Sequence, residues 1–175
     1  MMRWIRWGLF TLVLATAIHW LVVSEAPSFI MWRALGKFAQ GRVNSISFSE
    51  RATEASRAIV KPSPDLLYST CAFDVSRRPL KIVTAAPSDT YWSVALYADN
   101  TDNFFVLNDR AAKSRPATII LLGPGQSAPI DTVGTITVNA PSTKGLVLFR
   151  TLVNDDKREA EIDQARRAAT CQPLP

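Results

Sequence analysis

LLYSTCAFDV, Leu66–Val75, alternates: Leu67, Cys71, Phe73 and Val75 point one way, while Tyr68, Thr70 and Asp74 point the other. Successive side chains of an extended chain project to opposite faces, so a period of two predicts a strand with one apolar face. The same rhythm recurs downstream. PLKIVTAA follows the Arg77-Arg78 pair, and YWSVALYAD sets Trp92, Val94 and Leu96 against Tyr91, Ser93 and Tyr97. NFFVLND, TIILLGPG, IDTVGTITV and GLVLFRTLV complete the series, each bounded by Gly, Pro, Asn or Asp. Seven short strands without intervening helices predict a mainly β fold, an antiparallel β-sandwich or barrel-like domain over residues 62–175.

The period changes at the end of the chain. NDDKREAEIDQARRAATC, Asn154–Cys171, offers Asn154 or Asp155 as an N-cap, acids early and Arg166 and Arg167 late. That charge order suits the dipole of a C-terminal helix. Its apolar stripe, Ala160, Ile162, Ala165 and Ala169, is thin, which predicts a helix lying on the sheet.

Upstream, the N-terminus reads as a membrane segment. Residues 1–6 carry Arg3 and Arg6, and an uncharged apolar run then extends from Trp7 to Val23. Seventeen helical residues span about 25 Å, the short end of what crosses a bilayer core. Trp7 and Trp20 sit near the two ends of the run, where indole prefers the interface. A cleavable signal peptide is the rival reading. The apolar run continues past Ala15-Thr16-Ala17, however, and Pro27 follows the second candidate cut, which favours an uncleaved anchor. His19 lies in the run beside Trp20 and reads as a neutral imidazole near the outer interface. Residues 27–42, with Phe29, Trp32, Leu35 and Phe38 at intervals of three and cations between them, predict a juxtamembrane helix. It would lie on lipid, dock on the domain or meet a partner. Residues 43–61 read as a polar linker.

The chain has 175 residues, 47% of them hydrophobic and 20% charged, which suits one globular domain plus an appendage. Discounting Arg3 and Arg6 leaves 18 cationic side chains against 15 acidic ones, with no basic cluster of the kind that binds nucleic acid. No nucleic-acid partner is therefore expected. Membrane lipid is.

The two cysteines, Cys71 and Cys171, both fall beyond the apolar run. In an oxidising periplasm, if the host is bacterial, they would form a disulfide closing a 100-residue loop and pinning the terminal helix to the first strand. The expected location is thus the bacterial inner membrane, single-pass, with the C-terminal domain periplasmic.

Catalytic signals are few. The one histidine lies in the apolar run, so a Ser-His-Asp or Cys-His arrangement cannot form in the β domain. No metal site is expected from two distant cysteines and no histidine, and no cofactor either. GPGQSA, Gly123–Ala128, mimics a dinucleotide fingerprint, but Pro129 and a strand follow it, so it reads as a turn. DNTDN, Asp99–Asn103, reads as an Asx turn. One constellation remains: Asp65, Tyr68, Asp74, Tyr91, Ser93, Tyr97 and Asp102, on the non-core phase of two strands and their flanking turns. It predicts a pocket, a docking surface for another protein or a plain solvated face.

PSPDLLYS, YWSVALYADNTDNFFVLNDR, LLGPG and RTLVNDD, in this order, resemble the family called domain of unknown function 1254, over roughly Val60–Leu174. The likeness is greatest to its short, membrane-anchored bacterial members. It implies an all-β fold and, often, a companion domain of unknown function 1214, which follows on the same chain in longer relatives and is here expected on a separate protein. Asp65, Tyr68, Ser69, Asp102, Asn103, Phe104, Arg110, Gly125 and Arg150 match the family's motifs. Ser63 stands where the pattern has Asn, and Gln126 where Trp is common. The family supplies no activity to carry over. Two functions are therefore expected as alternatives: a membrane-anchored binding or assembly module, or an envelope glycan- or lipid-directed hydrolase or lyase. The second would use Asp65, Asp74 and Asp102 as acid and base, with Tyr68 or Tyr91 orienting substrate.

Overall fold

The computed structural model describes residues 2–39, 41–56, 61–128 and 134–174. Residues 57–60 of the expected linker, Ile130–Val133 of the expected strand, Met1, Gln40, Pro129 and Pro175 lie outside the described residues.

A 38-residue helix, α1 (Met2–Ala39), leads into strands β1 (Ile46–Phe48), β2 (Leu66–Asp74), β3 (Leu80–Val83), β4 (Trp92–Ala98) and β5 (Asn103–Asn108). They are followed by β6 (Thr118–Leu122), β7 (Ile136–Asn139) and β8 (Lys144–Leu152). A short 3-10 turn, Asp156–Arg158, a second helix, α2 (Glu159–Arg166), and β9 (Thr170–Pro173) complete the described chain. Two sheets result. The larger has the order β1-β2-β8-β4-β5 and is antiparallel throughout; the smaller has the order β7-β6-β3-β9. In the smaller sheet β6 and β7 pair in parallel. The domain is mainly β, two sheets with a short helix near its C-terminus.

The inner face of the larger sheet is the one the alternation predicted. Leu67, Cys71, Phe73, Val75, Val94 and Leu96 are at most 2% exposed, and Leu80, Ile82, Ile119 and Leu121 oppose them from the smaller sheet. Fully burying one such side chain contributes about 1.5–3 kcal/mol relative to leaving it in water. β8 carries a glycine at the tightest point. A Cβ on Gly145 would meet the Tyr97 carbonyl oxygen and come within 2.5 Å of the Phe73 ring.

Cys71 and Cys171 form a disulfide. Its anchorage differs from the expected one, because Cys171 sits on β9 and not on the terminal helix. Beyond α2 the chain turns extended again, and Ile82 pairs with Cys171 in register. The bond therefore joins the larger sheet to the smaller.

Three sequence expectations are corrected. The terminal helix is shorter than 154–171: Asp155 accepts from the Lys157 amide as N-cap, and α2 ends at Arg166. Ile162 packs against Leu67 and Val153, so its burial at one end of the larger sheet anchors the helix. Next, the stretch read as linker contains β1, with Ile46 opposite Cys71 and Phe48 opposite Ser69. Finally, α1 runs unbroken through Pro27. A proline removes one backbone hydrogen bond, which a long helix held on both sides tolerates.

The juxtamembrane stripe also divides. Residues three apart advance 300° on a helix, so Phe29 and Phe38, nine apart, lie on opposite faces. Met31 and Ala34 are buried against Leu146, with Leu35, Phe38 and Tyr97 beside them. Phe29 and Trp32 instead face outward, their rings 5.8 Å apart. The apolar part of α1 is long enough to cross a bilayer, and no described residue covers it; Trp7 and Trp20 are exposed.

Candidate functional site

Register on the larger sheet gathers part of the expected constellation. On the outer face, Tyr68 of β2, Arg150 of β8, Ser93 of β4 and Asn108 of β5 stand side by side across four strands. The next row holds Thr70, Leu148, Ala95 and Val106, and the one after it Ala72, Leu146 and Tyr97. α1 packs on that third row through Met31 and Ala34. The outer face is thus half roofed by helix, and the Arg150 row lies beyond the roof.

The groups of this row are held from the side. The Tyr68 hydroxyl accepts from the Ser63 amide at 2.9 Å, tying the PSPD turn to the sheet. Arg150 Nη2 donates to the Tyr97 hydroxyl at 3.4 Å, a long hydrogen bond. Ser93 Oγ and Arg150 Nε are enclosed and have no partner among the described residues. Ser93 is only 3% exposed. Leaving an enclosed polar group unpaired costs about 1–3 kcal/mol, so these two atoms mark the row as unfinished.

The remaining expected residues fall at the two ends of the sheet. Asp65, Tyr91 and Arg110 lie at one end: Asp65 and Tyr91 lead into β2 and β4, and Arg110 follows β5. Asp74, Asp102 and Asn103 lie at the other. Nine residues of strand, about 30 Å, separate Asp65 from Asp74. Asp74 accepts from the Ser76 amide at 3.0 Å and the Ser76 hydroxyl at 2.6 Å, with Lys144 3.9 Å away. Those hydrogen bonds, then the Lys144 and Arg77 charges, hold its carboxyl below the usual range. The Asp102 amide donates to Asn100 Oδ1 at 3.1 Å, the Asx-turn chemistry read from DNTDN, and its carboxylate accepts from the Asn100 side-chain amide at 2.7 Å. Asp65 thus lies at the far end of the sheet from Asp74 and Asp102, and each of those two is taken up by its own turn.

Two positions where the sequence departs from the family pattern have structural work here. Ser63 Oγ accepts from the Asp65 amide at 3.3 Å. Gln126 accepts from the Gly123 amide at 2.8 Å and donates to the Val75 carbonyl at 2.7 Å, fastening the Gly-Pro-Gly turn to the end of β2. Gly125, at φ +78, supplies the left-handed residue that the turn needs.

Sequence reasoning missed Arg166. It is 3% exposed and fully used: it donates to the Ser49 and Tyr68 carbonyls, to Ser69 Oγ and to Asp163, and it lies over the Phe48 ring. Burial pulls its pKa down, opposed by Asp163. Asp163 itself is raised by burial but held below its ordinary value by the hydrogen bonds from Arg167 and Arg166. A charge in the last turn of a helix reads from sequence as solvated, which hid this one.

Beside α1 lies a groove of about 490 Å³, lined by Trp32, Arg33 and Leu35 on the helix and by Ala72, Asp74 and Lys144 on the sheet. A void of about 10 Å³ near Ser69, Trp92 and Arg166 holds at most one water. Among the described residues no cluster of His, Cys, Asp and Glu has the arrangement of a metal site.

Comparison with known proteins follows the fold. No curated protein matches the sequence. The structure is similar to the VPA0106 protein of Vibrio parahaemolyticus, with a TM-score of 0.70 at 10% identity. It is also similar to an uncharacterized protein of Burkholderia cenocepacia, with a TM-score of 0.50 at 14% identity. The alignments cover 87% and 77% of this chain but only 37% and 35% of those proteins, so the chain spans about a third of their length. At such identities the likeness is one of fold alone. A family model described as "Protein of unknown function (DUF1254)" matches residues 43–173, β1 through β9, and the chain belongs to that family.

Proposed function

We propose that this protein is a membrane-anchored binding or assembly module whose β domain faces the periplasm. It pairs with a separate protein carrying the family's companion β-domain. The reading rests above all on the outer face of the larger sheet, where α1 covers one half and the other half carries enclosed polar atoms without partners. A face of that kind suits a second protein better than bulk water. The uncovered apolar helix supports anchoring in lipid, and the disulfide suits an oxidising compartment.

The hydrolase or lyase alternative needs two carboxylates about 5–10 Å apart in a cleft. Asp65 and Asp74 stand at opposite ends of β2, which draws the chemistry apart.

Detergent-solubilised full-length protein, captured through a tag and quantified by mass spectrometry, should bring down one stoichiometric companion-domain protein. Val106→Arg, on the outer face, should abolish its recovery, and Thr137→Arg, on the smaller sheet, should not. Recovery of the bare chain in all three cases sinks the module. Protease added to spheroplasts should digest the β domain; protection of that domain would remove the periplasmic placement.

A further inference from the structure

Among the described residues, the half-exposed Arg51 and Arg158 and the buried Arg166 are each matched to acid. Arg51 meets Asp156 and Glu159 at 2.8 and 2.9 Å, Arg158 meets Asp89 and Glu161, and Arg166 meets Asp163. Arg150 has no carboxylate among the described residues, only the distant Tyr97 hydroxyl. Its row contains two phenol or amide neighbours and a serine, and the row beside it is apolar apart from Thr70. Among the described residues no acid stands in either row; Asp65 and Asp109 lie past the strand ends, and no ion pair joins either to Arg150. The aromatic and arginine composition is that of protein–protein anchor points, and the uncovered edge presents Val106, 55% exposed.

We infer that Arg150 is the socket for a carboxylate side chain, an Asp or Glu, carried by the partner protein proposed above. The inference rests on that docking reading and deepens it. A guanidinium is a planar fork that matches a carboxylate with two parallel hydrogen bonds. In the free protein Nε is enclosed without an acceptor. A side-chain turn that brings Nε and one Nη outward gives both a partner at once, with the Tyr68 and Tyr97 hydroxyls and Ser93 Oγ available to the second carboxylate oxygen. A small free anion is a poorer occupant. The outer face is an open sheet surface with no cavity to enclose such an ion among the described residues.

The test uses full-length protein in its own cell membranes, with a photoreactive phenylalanine derivative at Val106 or, as control, at Thr137. The 106 probe should give an adduct with one protein, and the 137 probe none. Arg150→Gln should lower the adduct at least tenfold, the size of one lost charged hydrogen-bond pair, and Arg150→Lys should retain part of it. Raising salt to about 1 M should weaken it. Mapping the adduct should locate an Asp or Glu on the partner; its reversal to Arg should restore pairing with Arg150→Glu.

The outcomes separate the two readings. An adduct that survives Arg150→Gln overturns the carboxylate socket and leaves the docking face standing. An adduct with lipid alone, or none, removes both. Intact Cys71–Cys171 linkage and an unchanged melting midpoint establish that each variant folds. If Arg150→Gln does not, neutralising the partner's mapped acids decides the matter, and a full adduct after that change overturns the socket.

Discussion

The larger sheet has two faces, and each encloses one arginine from opposite circumstances. Arg166 enters from α2 at the inner-face end and meets a carboxylate, a hydroxyl and two carbonyls within 2.8 Å. Arg150 stands on the outer face with Nε unpaired. The first closes a network that joins β2, α2 and the segment after β1; the second makes one long contact, to the Tyr97 hydroxyl. The contrast teaches that burial of a charge has two meanings. Where every hydrogen finds an acceptor the charge belongs to the fold; where one does not, as at Arg150 Nε, the charge is open to the partner proposed above.

Perturbing the inner side should have the largest effects. Cys171→Ser removes the bond between the sheets and should cost about 3–5 kcal/mol of unfolding free energy, read from chemical denaturation of the full chain in detergent. A cost below about 1 kcal/mol would make packing alone sufficient to join them. Arg166→Leu should come next, at about 3 kcal/mol, because Asp163 and three acceptors lose their donor together. Gly145→Ala pushes a methyl group into the Phe73 ring and the Tyr97 carbonyl and should cost about 2 kcal/mol; unchanged stability would mean that β8 shifts freely.

Against these, Arg150→Leu should change stability by less than about 1 kcal/mol in either direction. If it destabilises as much as Arg166→Leu, the two arginines are alike and the comparison fails. The smallest effect concerns pH. Asp163 has a folded pKa below its unfolded one, so its contribution is present above the usual carboxylate range and fades as pH falls through the folded value. Asp163→Asn should therefore cost about 1 kcal/mol near pH 7, with the difference from wild type closing in strongly acidic solution. A constant difference at all pH values would count against the Arg166–Asp163 pairing.

Much of this was legible in sequence, and the reasons vary by element. β2 and β4 announced themselves by alternation, since a two-sided sheet forces a period of two, and β3 and β5 to β8 by short runs bounded by Gly, Pro, Asn or Asp. β1 did not, because Ile46 and Phe48 are only two apolar residues among serines. β9 hid behind a helix and contains Pro173, which an edge strand accepts. The outer phase was legible as polar but not as enclosed: Ser93, Ala95 and Ala72 are small and disappear beneath Tyr68, Arg150, Tyr97 and α1. Of the expected site, register unites Tyr68, Ser93 and Arg150, Tyr97 reaches them from two rows away through its hydroxyl, and Asp65, Asp74, Tyr91, Asp102, Asn103 and Arg110 go to the two ends. Pairing partners decide that, and no single strand contains them.

The sulfur bridge has one more consequence. It runs from residue 71 to residue 171, so every connection from the β2–β3 turn to the end of α2 lies inside one covalent ring. A single cut by a protease anywhere on that ring leaves two fragments still fastened to each other and to the leading helix. Loss of the domain from that helix then takes either a second cut upstream of β2 or a thiol reductant.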